Sequence, residues 1–141
     1  MKPCLVDVNV WFALLVLPHE HHEKASHWYD SLEAGNAVMC RNVQLALIRL
    51  LTNKTILADD AIAAHTAWDM LTELAGDERV AFLNEPLEFE TTFPTLLRYP
   101  APTTKLVGDA YLAAFALAAS LPIVTFDRGF RQFRGLEVIL L

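Results

Sequence analysis

The sequence predicts an α/β fold: a three-layer α/β/α sandwich around a mainly parallel five-stranded sheet, with residues 1–141 forming one domain. Three observations predict it. The apolar runs are short and continuous rather than alternating, the mark of strands covered on both faces. Segments of helical period lie between these runs, and strands alternating with helices imply right-handed crossovers and a doubly wound sheet. Finally, a chain of 141 residues is near the commonest domain size, at which roughly 70% of the unfolded surface is buried, and it contains no repeat, low-complexity tract or linker.

The first strand is "CLVDV" (4–8), followed by a short apolar helix at 10–16. A helix at 22–34 begins in the polar "HEHHEK", with Ala25 and Trp28 supplying its buried side. The strand "AVMC" (37–40) leads into a helix at 42–53, and a longer helix at 59–76 precedes the strand "VAFL" (80–83). Gly35 and Gly76 stand where helix ends need punctuation. A helix at 86–98 and another at 107–120 follow. In the latter Ala110, Ala113, Ala114, Leu117 and Ala118 recur at helical spacing and are small enough to let the helix lie close on a sheet. "PIVTF" (122–126) and "EVILL" (137–141) complete the sheet.

Composition excludes several classes. The hydrophobic fraction is 54% and the mean hydropathy +0.30, yet no run approaches the ~20 apolar residues that span a bilayer, so no membrane association is expected. Asp7 interrupts the N-terminal apolar stretch and no small-residue cleavage site follows, which argues against a signal peptide and for a cytoplasmic protein. Cys4 and Cys40 lie in apolar strand-like runs and read as small hydrophobes, not as a disulfide. A net charge of −6 argues against a general nucleic-acid coat. The charge is uneven, however: residues 59–90 hold nine Asp or Glu against Arg79 alone, whereas Arg98, Lys105, Arg128, Arg131 and Arg134 cluster after residue 97.

A carboxylate at Asp7, flanked by Val6 and Val8, is expensive unless something compensates it. In an open parallel sheet, ligands bind outside the carboxyl ends of the strands where strand order reverses. Asp7 falls at or near the end of the first strand, and Asp127 directly follows "IVTF". Asp109 is expected in the first turn of its helix, where the macrodipole favours an anion. Three carboxylates brought together repel and raise their own pKa values unless a cation neutralises them. Mg²⁺ or Mn²⁺ takes such oxygen ligands. Metal-assisted phosphodiester hydrolysis is the chemistry that follows. Singly, Asp109 also reads as a cap and Asp127 as a turn former.

"LVDVNVW" (5–11), "LIRLLTN" (47–53), "GDAYLAAFAL" (108–117) and "IVTFDRGF" (123–130), in this order and spacing, resemble the PIN-domain ribonucleases. More narrowly they resemble the VapC-type toxins of bacterial toxin–antitoxin pairs. The resemblance runs from about residue 4 to the end, and the first and last motifs carry most of its specificity. It implies a PIN-like domain that is a Mg²⁺- or Mn²⁺-dependent endoribonuclease cutting tRNA, rRNA or mRNA, restrained by a cognate antitoxin. Asp7, Asp109 and Asp127 match the family's acidic positions, with Asp7 and Asp109 as direct metal ligands. Asn9 matches the polar residue two after the first acid, and Thr125 the Ser or Thr ahead of the last. One position departs: three residues before Arg49, where many members carry glutamate, stands Ala46. Gln44, on the same early part of that helix, offers a neutral amide oxygen instead and resembles a subgroup with "TQLGLLRLLTN"-like sequences. Weaker ion binding is expected from the missing charge. A module that binds RNA or antitoxin without cleaving is the alternative.

Arg128, Arg131 and Arg134 form a cationic edge, the first two being candidate contacts to RNA phosphates. Arg49 is expected to pair with a core carboxylate, with a position facing RNA as the alternative. His21 and His22 diverge by about 100° on a helix and do not share an ion easily. Trp11 and Phe12 read as core or dimer surface. The excess of apolar surface suits an antitoxin's amphipathic helix or tail and self-pairing into a homodimer. A haloacid-dehalogenase-type phosphatase is disfavoured, because that class wants a second Asp where Asn9 stands and the chain is short for it.

Overall fold

The computed structural model describes residues 2–98 and 103–141. Its elements are β1 (Cys4–Val6), α1 (Val8–Leu15), α2 (His22–Asp30), β2 (Ala37–Met39), α3 (Arg41–Leu51), α4 (Lys54–Leu57), α5 (Ala64–Ala75), β3 (Val80–Phe82), α6 (Phe89–Leu96), α7 (Thr104–Ala118), β4 (Ile123–Thr125) and β5 (Val138–Leu140). The five strands form one sheet in the order β3-β2-β1-β4-β5, every neighbouring pair parallel. The fold class expected from the sequence is therefore observed, and the expected mainly parallel sheet is wholly parallel. Consecutive residues of β1, β2 and β4 are buried, so helices cover both faces of the sheet centre.

Strand order sets the site. From β1 the chain steps outward to β2 and β3, then crosses back to place β4 on the other side of β1. The register pairs Leu5 with Ile123 and Val6 with Val124, so the residues after Val6 and Val124 stand side by side at the end of the two strands. Those residues are Asp7 and Thr125.

Trp11 is fully buried and meets Tyr29 edge-on at 6.2 Å, so it belongs to the core, as does Phe12. Cys4 and Cys40 are buried free thiols, and burial pushes the Cys4 thiol up to about 11. Among the described residues no helix is long and apolar enough to cross a membrane.

Several boundaries differ from expectation. The helix expected over 59–76 is broken, because Asn53 accepts from the Thr55 N–H to start α4 and Ala58 then turns at φ +50° into a 3-10 turn, Ala58–Asp60. Only from Ala64 does the amphipathic pattern run as α5. The helix expected at 86–98 shrinks to α6, with Pro94 inside it. The helix expected at 107–120 starts earlier: Thr103 accepts from the Leu106 N–H at 3.2 Å and caps α7, which begins at Thr104. Asp109 consequently lies in the second turn, and the expected macrodipole stabilisation, confined to a helix's first turn, does not apply to it.

Candidate functional site

Asp7 ends β1 and caps α1. Its N–H donates to the Val124 carbonyl at 3.0 Å, continuing the β1–β4 ladder. One carboxylate oxygen, Oδ1, accepts from the Val8 N–H at 2.7 Å, and the other, Oδ2, accepts from the Thr125 hydroxyl at 2.7 Å. The residue is 5% exposed. Burial raises its pKa to about 6, with a further push from the negative Asp109 and Asp127, against the two hydrogen bonds that favour the charged form. Among the described residues no cation pairs with Asp7.

Thr125, fully buried at the end of β4, is the hub. Besides donating to Asp7, its Oγ accepts from the Asp127 N–H at 2.9 Å and from Asn9 Nδ2 at 3.3 Å. Asn9 in turn accepts the Phe126 N–H at 3.3 Å, so α1 is stapled to the chain leaving β4. Thr125 thus contacts Asp7 and the backbone of Asp127 directly, and Asn9 reaches them through Thr125 and the Phe126 N–H.

Asp127 caps the 3-10 turn Arg128–Gln132, accepting from the Gly129 N–H at 2.8 Å. Its other oxygen takes the Lys105 ammonium at 2.5 Å, and the same Nζ lies 2.8 Å from Asp109 Oδ2. One ammonium thus bridges two of the three acids, and it is the chief cause holding the Asp127 carboxyl below the usual carboxylate range. A side chain at position 129 would place Cβ 3.0 Å from Asp127 Oδ1, forcing that carboxylate to shift. Gly129→Ala is expected to displace that carboxylate by only a few tenths of an ångström and to leave thermal stability nearly unchanged, which thermal melting checks.

The other expected residues divide. Arg128 and Arg131 are exposed on the turn beyond Asp127, where a phosphate can approach. Gln44 does not join the aspartates: its amide oxygen accepts from Arg41 at 2.6 Å and it lines a small hollow with Met39, Leu71, Val80 and Phe82, on the β2–β3 and α5 side. Arg49 is exposed and, among the described residues, has no carboxylate partner, contrary to expectation. His21, from the polar run after α1, stacks on Phe126 at 4.6 Å beside the site. The sequence reading missed Lys105 as a site residue, although its spacing of four from Asp109 on one helix was visible.

Among the described residues no three His, Cys, Asp or Glu side chains stand grouped as a ready metal site; in this structure Lys105 supplies the positive charge between two of them.

The family model described as PIN domain matches residues 4–136. The chain belongs to the PIN-domain family. Among this PIN domain's relatives, Ribonuclease VapC41 of Mycobacterium tuberculosis is 35% identical over 142 residues, covering 97% of each chain. Ribonuclease VapC37 of the same organism is 26% identical, covering 94% of this PIN domain and 93% of the relative. In solved structures, M. tuberculosis VapC20, described as a Sarcin-Ricin loop cleaving toxin, superposes with a TM-score of 0.72 at 18% identity, covering 98% and 99% of the two chains. VapBC-1 of nontypeable Haemophilus influenzae gives 0.70 at 16% identity, covering 99% and 98%. At such identities the structures show a shared PIN fold.

Proposed function

We propose that this PIN domain is the toxin of a toxin–antitoxin pair, an endoribonuclease that hydrolyses RNA with Mg²⁺ or Mn²⁺ held by Asp7, Asp109 and Asp127. The observation that carries the reading is the β1–β4 pairing, which delivers Asp7 and, through Thr125, Asp127 to one sheet edge with Asp109 linked to it by Lys105. The relatives named as VapC ribonucleases support the same reading.

The donor set suits such an ion. All three acids offer hard oxygens, which favour Mg²⁺ or Mn²⁺ over softer metals. Asp7 carries a buried charge that the negative Asp109 and Asp127 disfavour further, a position that a divalent cation would relieve. When bound, the ion lowers the pKa of a water and offsets charge on a phosphoryl oxygen. The remaining work belongs to the chain. Thr125 fixes the Asp7 carboxylate, Asn9 fixes Thr125 and the backbone after β4, and Gly129 fixes Asp127. Arg128 and Arg131 receive the phosphates flanking the cut. A weakened module that binds RNA or antitoxin without cutting is the second reading, favoured by one observation: Ala46 stands where many family members supply a fourth carboxylate.

An antitoxin and a second copy of the chain are the proposed partners, in the cytoplasm. An open apolar cleft of about 410 Å³ between the end of α1, the end of α3, α4 and α5, lined by Leu15, Leu17, Leu51, Leu57, Ile62 and Met70, has the character of a seat for an amphipathic helix. Exposed Trp68 of α5 together with Phe82 and Leu83 at the β3 edge gives a homodimer apolar surface to cover.

The test is cleavage of a total RNA pool with ends mapped by sequencing. Discrete cuts are expected with Mn²⁺ and none after EDTA, with activity restored by excess Mn²⁺. Cleavage that persists unchanged in EDTA overturns the metal-dependent reading, and RNA binding without cuts favours the second one.

A further inference from the structure

Lys105 stands where the cation of the proposed reaction has to go. Its ammonium is within 2.8 Å of Asp109 Oδ2 and 2.5 Å of Asp127 Oδ2, so it uses carboxylate oxygens that an ion would need. It reaches them from the first turn of α7 on a side chain that is 64% exposed, while Asp109 and Asp127 are 17% and 29% exposed. The acids are therefore set in the fold and the cation is on a solvated arm. Asp7, the third acid, has no part in the bridge: its oxygens are taken by Val8 and Thr125. An ammonium and a divalent ion cannot both sit between the same two oxygens, because like charges at such range repel strongly in a partly dry site.

We propose that Lys105 is a tethered cation that holds Asp109 and Asp127 together in the ion-free protein and must leave them for a divalent ion to bind, thereby weakening ion affinity. This rests on the metal-dependent reading above and adds to it an internal competitor contributed by the chain itself. Lys105 is a positioning residue in this account: it keeps two carboxylates converged that would otherwise repel, and it makes ion entry coincide with release of a mobile positive arm. A chain lacking the fourth carboxylate thus also carries a competitor for two of its remaining three, which makes its ion requirement steep.

The experiment is calorimetric titration of Mn²⁺ into the full chain, with no RNA present. Lys105→Met is expected to bind Mn²⁺ roughly two- to thirtyfold more tightly than the wild type, the range that loss of two exposed ion pairs represents. Lys105→Gln serves as a second neutral variant should the methionine form not stay folded. Lys105→Arg rebuilds the bridge and is expected to return the affinity close to that of the wild type. Arg128→Met removes one positive charge that bonds to neither carboxylate and is expected to change affinity less than about twofold, as screening dictates. In EDTA, Lys105→Met melts below the wild type, and Mn²⁺ raises its melting temperature more. Neutral variants that bind Mn²⁺ no more tightly than the wild type overturn the competitor role while leaving the metal site standing. An Arg128→Met gain as large as the Lys105→Met gain overturns it too, reducing the effect to net charge. Absence of Mn²⁺ binding by every variant overturns the metal-dependent reading itself and the competitor with it.

Discussion

Asp7→Asn is expected to lower RNA cleavage on the order of 10²-fold or more, as loss of a charge that the reaction uses does, while the fold becomes more stable at neutral pH. The two effects share one cause. Asp7 is 5% exposed and its pKa is raised from 3.8 to about 6, so folding opposes its ionisation. In the unfolded chain the carboxyl loses its proton near 3.8, in the folded protein only near 6. Between those values the folded state binds the more protons. Its stability therefore falls as pH rises through that window and stays reduced above it. The gap amounts to about 3 kcal/mol at full ionisation. Asparagine removes that penalty but turns one oxygen into a donor, while the Thr125 hydroxyl already accepts from Asp127 and Asn9. A net gain of roughly 1–2 kcal/mol remains after about 1 kcal/mol for the impaired hydrogen bond. Denaturant unfolding at pH 5, 6 and 8 checks it: the variant's advantage should be smallest at pH 5. A variant less stable than the wild type at pH 8 would show that the Asp7 charge is compensated by a group other than an ion.

Thr125→Val is expected to cost about 2–4 kcal/mol although it hardly changes volume, because a buried hydroxyl with three partners leaves each of them wanting. The side chain is fully buried, donates to Asp7 and accepts from Asp127 and Asn9. The substitution also removes the larger of the two hydrogen-bond effects that favour the Asp7 anion, so the Asp7 pKa should climb further. In the pH–rate profile of RNA cleavage the acidic limb is then expected to move to higher pH. Thr125→Ser keeps the hydroxyl and should restore both stability and profile to near wild type, which separates the hydrogen-bond role from packing. An unchanged acidic limb in Thr125→Val would mean that Asp7 does not titrate in the reaction.

Asp7 and Asp127 were legible because strands speak through short-range pattern, whereas Asn9 came only with the family resemblance. An apolar run that stops at an acid tells where a strand ends, and in a parallel sheet every strand ends at the same edge. Which acids then meet depends on strand order, and here only the β1–β4 pairing makes Asp7 and Thr125 neighbours across 118 residues. Lys105 escaped notice for the same reason. Its link to Asp109 is local, but its link to Asp127 spans 22 residues and exists only because α7 passes the end of β4. Gln44 was misplaced because helical spacing fixes which residues share a face of α3 and says nothing of what that face meets; it meets β3 and α5. Asp109 was assigned to a first turn because Thr103, a cap three residues before the bonded Leu106 N–H, gave too weak a local signal against the apolar run that follows.

By itself the sequence determined the α/β class and the strand ends at which Asp7 and Asp127 stand, since these follow from residue period and residue type over a few neighbours. Tertiary structure alone decided that the buried Asp7 charge is left without a cation among the described residues while a lysine bridges the other two acids. The physical reason is range. Period and propensity act over a few residues along the chain, whereas the desolvation and Coulomb energies that tune a carboxylate act over a few ångströms of space, and the sequence does not state which distant residues come to share that space.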